Sequence, residues 1–339
     1  MLAIDFHQAA REGKLRGLPA DRLSLANLTL RNAAGTTPLH LAAKYGHLDQ
    51  VPPGLCVATT LLLENEAGYT PLHHAALGGH LDQVPPEVLT RANLLRRSKS
   101  GFTPVHLAAG GGHLDQLPSL ILDDALLHVR TDVGTTPLHE AAEAGHLADL
   151  PLVFLTVTTL LELNVSGETV YHVAAFNGHL DQIPDDLLTT EALRATTGNA
   201  DTVFHAAALG GHLDQIPPRL LTAHHLRLRA KHGFTPLHAA AETGHLDQVP
   251  AALLVCPRNF ITANDLGDTP LHAAAQEGFL RQFPRRLLTR ETLNVRNQAN
   301  ITPVMIAMRH GFGDQLPPDA FPAAPTAWQR LLRWLRTGR

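Results

Sequence analysis

The chain has 339 residues, 44% of them hydrophobic but only 5% aromatic, and a net charge of −4 from 27 basic and 31 acidic side chains. That balance argues against an overall basic body built to hold nucleic acid, which needs a clustered excess of Lys and Arg. It points instead to thin layers of Leu, Ala, Val and Ile. No stretch approaches the 18 or more apolar residues of a membrane span, and the first residues, Met1 to Arg11, lack an apolar run of signal-peptide length, so the expected location is cytoplasmic.

The first segment, Phe6-His7-Gln8-Ala9-Ala10 to Gly13, carries charged residues where later copies are apolar. From there a Thr opens near-copies of one phrase, Thr-Pro-Leu-His-x-Ala-Ala-x-x-Gly-His-Leu-Asp-Gln-x-Pro, nine times: at Thr37, Thr70, Thr103, Thr136, Thr169, Thr202, Thr235, Thr269 and Thr302. Seven of the eight intervals are 33 residues and one is 34. A fixed period of this size predicts a solenoid, in which each repeat buries its apolar face only by stacking on its neighbours. The period runs end to end, so one array is expected rather than several globular domains.

In the copy at Thr70, the Thr hydroxyl is suited to cap a helix whose first turn begins at Pro71. Leu72, Ala75 and Ala76 follow at i, i+3, i+4, a stripe thin enough for neighbouring helices to approach closely, and Gly79 ends the helix. After the Gly, Pro85 and Pro86 stop a second helix within about one turn. Thr90 then caps a single turn that buries Leu94, a pattern repeated at Thr189, Thr222 and Thr289. A Gly two residues before the next Thr closes most copies; Ala200 and Asn300 stand there in two of them. Asn tolerates positive φ, whereas Ala does so poorly, and Gly198-Asn199 offers a way to shift that turn.

The Thr-Pro-Leu-His-x-Ala-Ala-x-x-Gly-His core at this spacing resembles the ankyrin repeat over residues 1 to about 318. The resemblance implies an all-α solenoid of about ten stacked repeats. Such repeats continue into a regular second helix, but here prolines interrupt it (Pro52-Pro53, Pro118, Pro151, Pro184, Pro250 and others), so shortened or broken outer helices are expected. The expected organisation is an array over 1–318, with 1–34 as an N-terminal capping repeat and 302–318 as a degenerate last one. Residues 319–339 follow as a capping helix or tail. Cys56 and Cys256 lie six repeats apart, too far for a bridge in such an array, and are expected to be free thiols.

Of the 22 histidines, eight hold the Thr-Pro-Leu-His position and seven the Gly-His position. Equivalent rings in neighbouring repeats fall about 8–10 Å apart, too wide to share one zinc ion. The resemblance implies that they hydrogen-bond backbone between layers. His139 to His146 has Glu143 where a zinc-hydrolase helix needs its second His. No catalytic residue, metal site or cofactor is assigned.

Specificity is expected in what varies around the scaffold. The residue before each Thr reads Thr36, Tyr69, Phe102, Thr135, Glu168, Asp201, Phe234, Asp268 and Ile301. The resemblance implies that these loop tips and the exposed side of the first helix line a concave binding surface. Tyr69, Phe102 and Phe234 are suited to anchor a partner, or else to pack on neighbouring loops. Lys44, Tyr45, Leu77 and Phe176 lie beside them on the helices. Glu140, Glu143, Glu168 and Asp201, with Asp268 further on, make an acidic stretch that favours a cationic partner.

The tail places Trp328, Leu331, Leu332 and Leu335 at i, i+3, i+4, i+7 on a basic background, with Thr326 as its cap. Covering the end of the array is its expected role. The function that follows is a non-enzymatic scaffold that binds a protein partner through the concave face, with no small-molecule substrate. The alternative is a peripheral binder of an anionic membrane or nucleic acid through the Arg-rich C-terminal helix.

Overall fold

The computed structural model of the chain describes residues 4–118, 121–254 and 257–320. It divides into two compact units, Met1–Val170 and Tyr171–Arg339, each an all-α repeat solenoid. Among the described residues ten inner helices follow one another: α1 (Phe6–Arg11), α2 (Pro38–Lys44), α3 (Pro71–Gly78), α4 (Pro104–Gly110), α5 (Pro137–Ala144), α6 (Val170–Asn177), α7 (Val203–Gly210), α8 (Pro236–Thr243), α9 (Pro270–Glu277) and α10 (Pro303–Arg309). In the first unit each of α1 to α5 packs on the next, and in the second α7 to α10 do the same. Beyond two isolated bridges, Leu163 with Thr169 and Thr196 with Thr202, no strand occurs among the described residues.

Each inner helix starts as its sequence dictates. Thr70 is extended (φ −104°, ψ 165°), its hydroxyl accepts from the His73 amide, and Pro71 opens the first turn with its φ already fixed. Gly79 then ends α3 in the left-handed region at φ 73°. The facing side chains are small: Leu72, Ala75 and Ala76 are all 0% exposed, as are Leu39, Ala42 and Ala43 in the helix before. Two alanines per turn let the helices close together, and each buried Leu contributes about 1.5–3 kcal/mol.

The prolines leave an outer layer of tight turns in place of a second helix. Leu81–Gln83 forms one 3-10 turn that ends in extended backbone at Val84, just before Pro85. An amide clamp joins this layer from repeat to repeat. Gln83 Oε1 accepts from Leu48 N at 3.0 Å, and its Nε2 donates to Gly46 O at 3.0 Å. Gln116 holds Leu81 N and Gly79 O in the same way, Gln215 holds Leu180 N and Gly178 O, and Gln315 reaches Gly278 O. Inter-repeat bonds thus replace those a continuous outer helix would make within itself. Thr90, Thr189 and Thr289 cap four-residue turns that bury Leu94, Leu193 and Leu293, whereas the Thr222 turn tightens to a 3-10 turn, His225–Arg227.

The two exceptional loop residues adopt the glycine conformation without any shift of register. Ala200 has φ 62° and Asn300 φ 65°, so the turn at Ala200 keeps its place despite the cost for an alanine, and Gly198-Asn199 does not relieve it. Cys56 is a buried free thiol, its pKa pushed up to about 11 by burial. Cys256 and the tail from 321 to 339 lie outside the described residues.

Candidate partner-binding surface

The surface is built on the histidine of the repeated phrase. In α2, the Thr37 amide donates to His40 Nδ1 at 3.1 Å and the Thr37 hydroxyl lies 2.8 Å from the same nitrogen, closing a capping box in which His takes the place of the more usual Glu or Gln. His40 Nε2 lies 3.0 Å from the carbonyl oxygen of Tyr69 in the next repeat. A carbonyl only accepts, so Nε2 carries the proton and the ring is the neutral Nε2–H tautomer. The same link runs from His73 to Phe102, His106 to Thr135 and His139 to Glu168 in the first unit, and from His205 to Phe234, His238 to Asp268 and His272 to Ile301 in the second. Burial holds His40, His73, His106, His139 and His238 at about 4.

The acceptors in this ladder are the backbones of the very residues that vary before each Thr. Their carbonyls are pinned to the preceding repeat while their side chains are free to differ. The loops support this from the other side: Asn65 Oδ1 accepts from Ala67 N and Tyr69 N, and neighbouring tips join through single bonds such as Glu66 N to Ala34 O and Lys99 N to Ala67 O. Invariant chemistry fixes the backbone, and variable chemistry is presented from it.

The tip side chains are half-buried rather than fully turned to solvent. The Tyr69 ring meets His73 edge-on at 5.5 Å, Phe102 meets His106 at 5.9 Å, and Phe234 is tilted against His238 at 5.2 Å. Each aromatic therefore packs on the histidine of its own helix, and Tyr69 also meets His74 at 6.4 Å. Beside them Tyr45, Leu77, Glu143 and Phe176 are exposed, and Lys44 and Glu140 are half-buried. Arg11 and Lys44 both lie over the Tyr45 ring, at 5.5 and 5.8 Å. Glu140 is raised to about 7, chiefly by burial and partly by Glu143, against a hydrogen bond to Thr135. Glu168 is tied at its side chain by Asn164 Nδ2, and Asp268 by Asn297 Nδ2.

In the second unit these positions enclose a groove of about 310 Å³, lined by Phe234, Glu242, Asp268, Gln276, Glu277 and Arg309 among others. Burial, then the proximity of Glu277, raises the Glu242 carboxyl. Asp201 sits half-buried at its own tip. Glu242, Glu277 and the 43%-exposed Leu209 were not singled out from the sequence. Glu242 and Leu209 occupy the helix position of Glu143 and Leu77 in other repeats, a signal the period carries. The glutamate pair draws Glu277 from the following position, which only the fold brings alongside.

The Gly-His histidines do something different from the ladder. A Cβ placed on Gly46 would lie 2.6 Å from His80 Cε1, and one on Gly79 the same distance from His113 Cε1. Their rings lie flat over the preceding left-handed glycine, where a ring needs shape rather than a polar atom. Phe279 over Gly244 and Phe312 over Gly278 therefore serve as well. Among the described residues no group of three or more His, Cys, Asp or Glu is placed to hold a metal ion, and no helix is long and apolar enough to cross a membrane. A family model described as ankyrin repeats (3 copies) matches residues 6–86 and 171–265, just over half of the chain. No curated protein matches the chain significantly.

Proposed function

Because the chain belongs to the ankyrin-repeat family, whose members in general mediate protein–protein interactions and are typically not enzymes, we propose that it is a non-enzymatic scaffold that binds a protein partner through its tips and inner helix faces. The observation that carries this reading is the histidine ladder. It holds the backbone of every variable tip residue and leaves the side chain as the adjustable part, so little ordering is required on binding. Tyr69, Phe102 and Phe234 supply anchors, with Lys44, Tyr45, Leu77 and Phe176 beside them. Glu140, Glu143 and Glu168 in the first unit and Asp201, Glu242, Asp268 and Glu277 in the second favour a partner segment rich in Lys or Arg.

The test is a displayed-peptide selection on the full chain, repeated on a Tyr69→Ala, Phe102→Ala, Phe234→Ala variant. Loss of one aromatic anchor costs about 2 kcal/mol, or about 30-fold in affinity. The expected result is enrichment of cationic peptides whose binding the variant weakens at least that much, with an unchanged far-UV spectrum. Peptides that bind both proteins equally refute the assignment.

A further inference from the structure

The residue that follows the ladder histidine is large in the first unit, where Leu41, His74, Leu107 and Glu140 stand, but it is alanine in α7, α8 and α9 of the second: Ala206, Ala239 and Ala273. Ile306 takes the position in α10. Ala273 carries nothing beyond its Cβ, which leaves depth over α9, and there lies the groove of about 310 Å³. Half-buried Phe234 and Ile301 line it at the tip end, and half-buried Met305 and Ile306 line its α10 side. At the far end, about 12 Å away along the eight residues of α9, Glu242 and Glu277 are both exposed.

That far end carries like charges. Among the described residues no ion pair engages Glu242, Asp268 or Glu277, while Arg229 and Arg281 are spent on Asp265 and Asp314. Burial, then Glu277, raises the Glu242 carboxyl, so a cation held between the two relieves a repulsion already present. The groove is at the small end of ligand sites, sized for one extended side chain rather than a helix. Its lining asks for an occupant apolar along the stem and cationic at the tip. A guanidinium presents several N–H donors in one plane and can serve two carboxylates at once, whereas an ammonium is a compact point charge that holds its water more strongly. We infer, on the basis of the partner-binding function proposed above, that this groove takes a single arginine side chain of the partner, its stem along Ala273 between Phe234 and Met305 and its guanidinium between Glu242 and Glu277.

The methyl resonances of Met305 and Ile306 report on the groove in the full chain. The probe is acetyl-Gly-Arg-Gly-amide, set against the same peptide with lysine or with citrulline, which keeps the shape of arginine without its charge. The arginine peptide is expected to shift both methyls saturably and to bind at least about tenfold more tightly than the citrulline peptide, with lysine between them. Glu242→Gln combined with Glu277→Gln, both at exposed positions, should weaken the arginine peptide by a similar factor. Arg309→Gln, which removes a like charge from the α10 side of the groove, should strengthen it, a gain that misfolding cannot produce. The assignment is overturned by the absence of a saturable shift, by equal binding of the three peptides or a preference for lysine, by binding that survives the double variant, or by weakening in Arg309→Gln. The wider reading fails separately. Selected peptides that lose affinity in the Tyr69→Ala, Phe102→Ala, Phe234→Ala variant but not in the double variant remove the arginine site alone. Arginine-peptide shifts lost only in the double variant, with selected peptides indifferent to the tip residues, remove the wider surface and keep the site.

Discussion

Acid should unfold this protein through its histidine ladder well before its carboxylates are neutralised. His40, His73, His106 and His139 of the first unit are at most 1% exposed, and burial lowers each from 6.5 to about 4; His74 is lowered to about 3. The folded values lie below the unfolded ones, so the unfolded chain takes up these protons first. The ladder's contribution is complete above about pH 6.5, falls as the pH drops, and is gone below about 4. At about 1.4 kcal/mol per unit, each histidine costs about 2 kcal/mol at pH 5, and four of them about 8 kcal/mol, comparable to the 5–15 kcal/mol stability of a typical domain. Glu140 acts with the opposite sign: its value is raised from 4.5 to about 7, so its share is present below about 4.5 and lost as the pH rises through 7. The assay is urea unfolding of a Glu140→Gln variant from pH 7.5 to 5. The expected result is a midpoint that falls steeply with pH. His106→Gln, which keeps an acceptor for the capping box but ends the titration, should reduce that slope by about one proton. A midpoint flat over this range, or a slope unchanged by His106→Gln, would refute the reasoning.

Two further outcomes test the outer layer. Gln83→Ala removes both arms of one clamp and should cost about 1–3 kcal/mol in a thermal or urea melt; Gln83→Glu, which sets a carboxylate against the Gly46 carbonyl, should cost more. Gly79→Ala forces an alanine to φ 73° and drives its Cβ into the His113 ring, so a loss above about 2 kcal/mol is expected. His113→Ala in the same chain should restore the clash portion and leave the backbone portion, so strictly additive losses would contradict the ring-on-glycine contact.

Much of the inner layer was legible one repeat at a time. Thr as cap, Pro at the first turn, Leu and paired Ala as the buried stripe, and Gly as the stop are local rules, and α3 obeys each of them. The Thr-Pro-Leu-His imidazole as an inter-layer hydrogen bonder was implied by the family resemblance. Other features escaped because they are relations between repeats. Nothing in Leu-Asp-Gln says that the Gln amide grips the backbone of the repeat before it, or that the Gly-His ring is chosen for flatness. The sequence leaves the tip aromatics open as partner anchors or as packing on neighbouring loops; in the structure each meets the histidine of its own helix.

The sequence by itself determined the period, the helix starts and stops, and which positions are scaffold and which vary, because capping, φ restriction and apolar spacing act within a few residues. Only the tertiary structure decided what replaces the second helix, which tautomer each ladder histidine adopts, and which carboxylates face one another across the groove of the second unit. Those outcomes depend on groups about 29 to 38 positions apart in the chain, brought to contact distance by stacking alone.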